Sequence, residues 1–434
     1  MSFTENKSVL QHTELNRLVY VCSISGYNLP EFESCLLRRP LYLILVVSDD
    51  DKIQEAAERF ARVVKSHLPG VHILRPDQHR KFNGTDLVDV QNWFNDILIP
   101  QLDALPSDLK YVGNLTGGTK VMALVLMTMR FNWDWLEYKA DRVQQLQMIA
   151  YSNKGLKALD TEILPEAQPL SVARLYSEHV RENTGNIVLE STDSSCQAQK
   201  LWDGLVQKEP SLLALFGDRE RGLEMLWMYG LQEKRFNKKW LEISASDFLG
   251  QATFSAAHLQ WLQGWARLNE SSLQVTEQSL KLAGNKNRRN ELRRWLSGDW
   301  LEQLAYSWLV HEIPERSLTM NVSVRPENED NSSTGERETD ILVHYRGRTS
   351  LVEVKTDLPP GEKFSNATRQ LASLLDRFGR TNKVLLIGPQ LLQKNNKLDD
   401  LIVRCNAEGI LLAHDKASLL YAVQTGKQSE PFKR

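Results

Sequence analysis

A chain of 434 residues exceeds what one hydrophobic core normally serves and predicts two or three domains, with an apolar content of 41% that is ordinary for a globular protein. The formal charge of −2 means that any nucleic-acid contact must come from local basic patches and not from a global positive field. Four cysteines, Cys22, Cys35, Cys196 and Cys405, form no Cys-x-x-Cys pair and have no histidines at ligand spacing, which argues against a zinc ribbon or a disulfide framework and fits a reducing compartment.

The first residues, Met-Ser-Phe-Thr-Glu-Asn-Lys, lack the apolar core of a signal peptide, and the apolar runs Leu41–Val47 and Val121–Met129 are too short to span a bilayer. A cytoplasmic protein without membrane contact is expected. Leu18–Cys22, Leu41–Val47, Val71–Leu74 and Lys110–Gly113 predict strands, and Pro30–Arg38, Asp51–His67, Leu87–Leu102 and Gly118–Phe131 predict helices between them. This βαβα rhythm predicts a parallel sheet covered on both faces, closed by a hairpin of Trp135–Lys139 and Gln144–Ala150.

Ligands of such sheets bind at the carboxyl ends of the strands, where the segment Asn114-Leu-Thr116-Gly117-Gly118-Thr119-Lys120-Val-Met122 falls. Two glycines let backbone N–H groups approach an anion, the following helix adds its positive dipole end, and Lys120 adds a point charge. Gly113 and Gly118 have the separation of a Walker A loop, but Thr119 stands where that motif continues directly into Lys, so a nucleoside triphosphate site is disfavoured. The turn Ser23-Ile-Ser25-Gly-Tyr-Asn28-Leu-Pro30 after the first strand and Ser48-Asp49-Asp50 after the second point to the same crevice. Their polar side chains suit ribose or adenine, and equally suit plain turns and helix caps.

Pro165–Pro169 marks the exit from this domain, expected over residues 1–165. Residues 166–285 read as mostly helical and rich in tryptophan (Trp202, Trp227, Trp240, Trp261, Trp265), a spacing that fits core packing in a helical connector or a winged-helix-like module. A basic run, Lys281, Lys286, Arg288, Arg289, Arg293 and Arg294, is either a solvated helix face or a phosphate-backbone contact. The polar stretch Glu327–Glu338 reads as a mobile hairpin loop.

A second constellation occupies residues 286–434. Glu338-Thr-Asp340-Ile-Leu-Val-His-Tyr and Leu-Val-Glu353-Val-Lys355 flank a turn of Arg346-Gly347-Arg348 and predict a hairpin in which Glu353 and Lys355 share one face and Val352 and Val354 the other. Asp340 opens the partner strand near Glu353. Two carboxylates so placed can hold Mg²⁺ or Mn²⁺, which activates water and stabilises charge on a phosphate, with the lysine positioning or deprotonating the nucleophile. Upstream, Gly298-Asp299-Trp-Leu-Glu302 begins a helix whose Leu301, Leu304, Ala305 and Trp308 face inward, and Asp299-x-x-Glu302 also matches a capping box. Downstream, a helix over Asn366–Phe378, with Gln370 on it, and a buried strand over Val384–Ile387 are expected.

The turn Asn114–Met122 resembles the ligand-binding turn of CARF domains, Rossmann-like sensors of cyclic oligoadenylates, and Asp340…Glu353-x-Lys355 resembles the core of the restriction-endonuclease-like, PD-(D/E)xK, superfamily. Together they resemble the CRISPR ancillary nucleases of type III antiviral defence, though no proline precedes Asp340 and the connector matches least. The resemblance implies an α/β protein in which Ser25, Asn28, Ser48, Asn114, Thr116, Gly117, Gly118, Thr119, Lys120 and Met122 bind cyclic tetra-adenylate. It implies catalysis by Glu302, Asp340, Glu353 and Lys355, with Glu302, Asp340 and Glu353 as metal ligands. It further implies a homodimer around a two-fold ligand and a single-stranded RNA, single-stranded DNA or supercoiled DNA substrate. Three alternatives stay open: a ligand-responsive regulator that binds nucleic acid without cutting it, a ligand-independent restriction endonuclease, and a sensor that also degrades its ligand.

Overall fold

The computed structural model describes residues 15–429, apart from 130, 141–142, 153–154, 178, 183–191, 217–240, 269–272, 283–297, 326–336, 357–367, 369–370, 372–380 and 396–397. Strands β1 (Asn16–Ser23), β2 (Pro40–Val46), β3 (His72–Leu74), β4 (Lys110–Asn114), β5 (Trp135–Lys139), β6 (Gln145–Ser152) and β7 (Gly155–Ile163) form one sheet in the order β3-β2-β1-β4-β5-β6-β7. It is parallel through β5 and antiparallel beyond. Alternation decides which face each residue serves. Tyr20, Cys22, Leu43 and Leu45 pack with Phe32 and Phe60 of the helices Leu29–Arg38 and Asp51–His67, whereas Val19, Val21, Ile44 and Val46 pack with Trp93, Phe94 and Leu126 on the other side.

The parallel α/β reading of the N-terminal segment therefore holds, with local corrections. The expected helix Leu87–Leu102 is interrupted by a π turn, Phe94–Leu98, which ends two residues before Pro100, whose missing N–H and ring disturb the regular ladder. The helix expected over Gly118–Phe131 spans Lys120–Thr128, because Thr119 caps it and Met129 is extended. Strand β7 extends the hairpin by one member and had no separate expectation.

The described residues of the middle region are mostly helical, as expected, with a small sheet among the helices. Helices Thr192–Val206 and Pro210–Phe216 are followed by β9 (Leu241–Ser244), helices Ala245–Leu249 and Ala256–Leu268, and a hairpin of β10 (Leu273–Val275) and β11 (Ser279–Leu282), in a sheet ordered β10-β11-β9. Trp202 and Trp261 pack in the core as expected, Trp202 meeting Trp308 edge to face at 5.0 Å. Trp227, Trp240, the side chain of Trp265 and the basic run beyond Lys281 lie outside the described residues.

The last sheet contains β12 (Leu318–Arg325), β13 (Arg337–Tyr345), β14 (Arg348–Lys355), β15 (Thr381–Ile387) and β16 (Ile410–Ala413), in the order β16-β15-β14-β13-β12-β8. Its edge strand β8 (His179–Glu182) comes from far upstream and pairs antiparallel with β12. A boundary at 166 falls between the first sheet and the rest, whereas the strands of the last sheet lie on both sides of 286. Four residues reading His-Val-Arg-Glu carry too little alternation to announce a strand. The β13–β14 turn has Arg346 at φ 50° and Gly347 at φ 71°, the conformation that matches hairpin twist. Of the expected helix Asn366–Phe378 only Thr368 and Leu371 are described, both helical, and Gln370 and most of Glu327–Glu338 fall outside the described residues. Among the described residues no helix is long and apolar enough to cross a membrane.

Candidate functional site

At the carboxyl end of β4 the glycine turn is built by close packing against the end of β1. A Cβ on Gly117 would run into the Ser23 carbonyl oxygen and lie 2.6 Å from Glu31 Oε1, while Gly118 has φ +74° and its Cβ would meet that of Ser23 at 2.5 Å. Thr119 caps the helix: its hydroxyl accepts from the Met122 N–H at 3.1 Å and donates to the Gly84 carbonyl. The N–H groups of Gly117 and Gly118 make no hydrogen bond, and Lys120 is exposed without an ion-pair partner, among the described residues. An anion has donors waiting for it there. Gly117→Ala is expected to cost about 1–3 kcal/mol of stability in urea denaturation by overpacking the turn.

The other expected ligand residues divide by burial. Asn114 is fully buried; its amide donates to the Tyr20 hydroxyl at 2.6 Å and accepts from the Thr116 N–H at 2.7 Å. Asn28, also buried, exchanges two hydrogen bonds with the Ser25 backbone at 2.8 and 2.7 Å. Met122 is buried beneath the turn, with its sulfur 3.5 Å from the Thr119 nitrogen. These three shape the surface from below. Ser25, Thr116, Gly118 and Thr119 are half-buried at the surface itself, and Ser48 sits at its edge against Gly84, a neighbour that no local sequence signal marked.

Directly under the turn lies Glu31, fully buried with both carboxylate oxygens unpartnered, beside the unpartnered Ser23 hydroxyl. Burial pushes its carboxyl up to about 8, although its own backbone and Lys139 pull the other way. A proton is thus retained in the folded state over a range where the unfolded chain releases it. This contribution to stability is complete below about 4.5 and is lost as pH rises through about 8. We expect the melting temperature to fall across that window, and to do so far less in Glu31→Gln, a difference on the order of 5 kcal/mol at about pH 9.

At the far end, β13 and β14 pair with Ile341 opposite Val352, which sets Asp340 opposite Glu353. Val352 and Val354 pack with Trp300, Leu301 and Leu304 of the helix Trp300–Val310, so Glu353 and Lys355 project to the other face, as expected. The Val354 N–H donates to Asp340 Oδ2 at 2.6 Å, and Lys355 Nζ lies 2.7 Å from Glu353 Oε1. Glu353 Oε2 is buried without a partner. Burial, and then the charges of Glu353 and Glu302, push the Asp340 carboxyl well above its ordinary range, with Lys355 opposing. Lys355 goes the opposite way from what burial alone would give, because Glu353 and Asp340 hold its proton. It is a charged hydrogen-bond donor to Glu353. Asp299 is helical and makes no side-chain cap bond, so the capping box is not formed.

Among the described residues no three His, Cys, Asp or Glu side chains converge to hold an ion together. The like-charged pair Asp340 and Glu353, with one orphaned oxygen, nevertheless suits a hard divalent cation that keeps several waters, and the charge of Glu302 also acts on Asp340.

No family model and no curated protein matches the chain. Solved structures do. The crystal structure of protein VC1899 from Vibrio cholerae aligns over 93% of this chain and 95% of its own, with TM-score 0.66 and 14% identity. Can2 from Sulfobacillus thermosulfidooxidans, in complex with cyclic tetra-adenylate, aligns over 92% and 96%, with TM-score 0.62 and 16% identity. The chain shares their fold. The shared architecture runs nearly end to end and spans the parallel sheet, the middle module and the last sheet alike.

Proposed function

We propose that this chain is a CARF-type CRISPR ancillary nuclease, in which the turn Thr116–Lys120 binds a cyclic oligoadenylate, as cyclic tetra-adenylate, and the Asp340–Glu353–Lys355 hairpin cuts nucleic acid. One observation carries the proposal: a turn with waiting N–H donors and a lysine, and a hairpin with crowded carboxylates and a lysine, occupy opposite ends of a fold shared with a protein solved with cyclic tetra-adenylate. Residues 15–165 would be the sensor, and β8 with residues 298–429 the nuclease. The strand–helix–helix–hairpin order of β9 to β11 supports a winged-helix-like module inserted after β8.

Asp340 and Glu353 would hold Mg²⁺ or Mn²⁺, which supplies an activated water and offsets charge on the phosphate. The Val354 N–H fixes the Asp340 carboxylate, Glu353 orients Lys355, and Lys355 donates to a phosphate oxygen. A two-fold ring would be shared by two subunits, whose closed arrangement it favours only through tighter binding to that arrangement.

The test is to incubate purified protein and Mn²⁺ or Mg²⁺ with labelled single-stranded RNA, single-stranded DNA and supercoiled plasmid, each with cyclic tri-, tetra- or hexa-adenylate. Cleavage that appears only with the tetra-adenylate supports the proposal. Cleavage that ignores every ring supports an ordinary restriction nuclease. Ring-dependent binding without any cleavage supports a regulator acting through the middle module.

A further inference from the structure

Buried polar contacts run from the first candidate site to the hairpin that carries the second. Starting at the glycine turn, the Thr116 hydroxyl accepts from the Lys139 N–H at 3.0 Å. The Lys139 ammonium pairs with Glu33, and His344 Nε2 lies 2.8 Å from the other oxygen of the same carboxylate. His344 Nδ1 is 3.0 Å from the Thr349 hydroxyl. Lys139, Glu33 and His344 are 3%, 0% and 0% exposed, so the chain of contacts runs through the interior. Burial would raise the Glu33 carboxyl, but the His344 hydrogen bond and Lys139 outweigh it and keep it below its ordinary value. It is a charged group in a dry seam.

Geometry ties the far end of this chain to the hairpin that carries Asp340. His344 stands opposite Thr349 in the same antiparallel pair that sets Asp340 opposite Glu353. Both rungs lie on one face of the sheet, separated by the Leu342–Leu351 rung and by about 13 Å along the strand. The near end is equally direct: Glu33 is two residues from Glu31, whose carboxyl packs against Gly117. A buried ion cluster is no cheaper than apolar packing, but its bonds are directional and fix one arrangement of the elements they join. A seam of that kind changes between discrete states instead of deforming smoothly.

We propose that His344 is a positioning residue that, through Glu33 and Lys139, transmits the state of the Thr116–Lys120 turn to the Asp340–Glu353 rung. The proposal rests on the proposed function only for the identity of the signal. A movement of the turn shifts the Lys139 backbone, and with it the ammonium on Glu33. The Glu33–His344 bond then either holds β13 in place or releases it.

Hydrogen exchange of the full-length protein tests this, with and without cyclic tetra-adenylate, over residues 113–122 and 337–345, alongside the ratio of activated to basal cleavage. In the unaltered protein the ligand is expected to change exchange in both segments. In His344→Ala the response at 113–122 should stay within about twofold while the response at 337–345 and the cleavage ratio each fall about tenfold, and His344→Gln, which keeps a donor toward Glu33, should restore much of both. A folded His344→Ala protein with an unchanged remote response and ratio overturns the proposal, since a purely structural histidine would lower basal and activated rates together. If segment 113–122 of the unaltered protein ignores the ligand, the sensor assignment has failed and Lys139→Met, without ligand, decides the coupling. It should alter exchange in both segments, and an effect confined to one of them overturns the relay.

Discussion

Replacing Glu353 with Gln or Ala is expected to abolish metal-dependent cleavage while leaving cyclic tetra-adenylate binding and folding intact. Glu353 is one of the two carboxylates proposed to hold a cation and carries an orphaned buried oxygen, so its removal would take away half of that proposed ligand pair. Metal assistance is worth several kcal/mol, so a loss of roughly 10³-fold or more is expected in single-turnover cleavage. Stability should move differently. The negative charge of Glu353 is a leading cause of the raised Asp340 carboxyl, so the neutral Gln relieves that crowding. We expect an unchanged or slightly higher melting temperature in Glu353→Gln, the signature of a group kept for function at some cost to stability. Robust ligand-dependent cleavage by either variant would falsify the placement of the nuclease site.

Lys120→Ala is expected to remove activation without affecting the fold. The side chain is exposed and has no ion-pair partner among the described residues, so its truncation should change stability by no more than about 0.5 kcal/mol. Hydrogen bonds to a charged group are worth about 1.5–3 kcal/mol, so one subunit should lose roughly 10- to 100-fold in affinity. A ring held by two subunits loses that factor twice, and titration calorimetry should show a fall of about 10²- to 10⁴-fold. Basal cleavage should be unchanged, and rescue by saturating ligand would place the loss in binding. Wild-type affinity in this variant would remove the turn from the ligand site.

Local chemistry made both ends of the chain legible. A Gly-Gly pair before a helix, and Glu-x-Lys on an alternating strand after a Gly turn, are short-range patterns whose consequences are fixed within a few residues. The direction of the amides of Asn114 and Asn28 was not legible, because a polar residue at a strand end suits a ligand and a buried turn equally well. Only the Tyr20 hydroxyl, 94 positions away, decides for Asn114. Nothing local in the helix Leu29–Arg38 marks Glu31 and Glu33 for burial. They are buried because the opposite wall is supplied by the glycine turn and by a histidine 311 positions later, a pairing that no periodicity encodes. The capping box misled for the converse reason: the Asp299-x-x-Glu302 pattern is present, but the chain is already helical at Asp299.

Strand β8 has a consequence for how such a protein can be built or divided. It leaves the first half of the chain and closes the far sheet beside β12, so in sequence the middle module is an insertion between two strands of that sheet. A fragment beginning at 286 would leave the backbone donors and acceptors of β12 uncovered, an invitation to edge-to-edge aggregation. Swapping sensors between relatives should therefore succeed only with a splice placed before the helix Pro169–Tyr176, which carries the chain into β8. Under the proposed roles, the sensor and the nuclease can each be retuned in place but exchanged only at that splice.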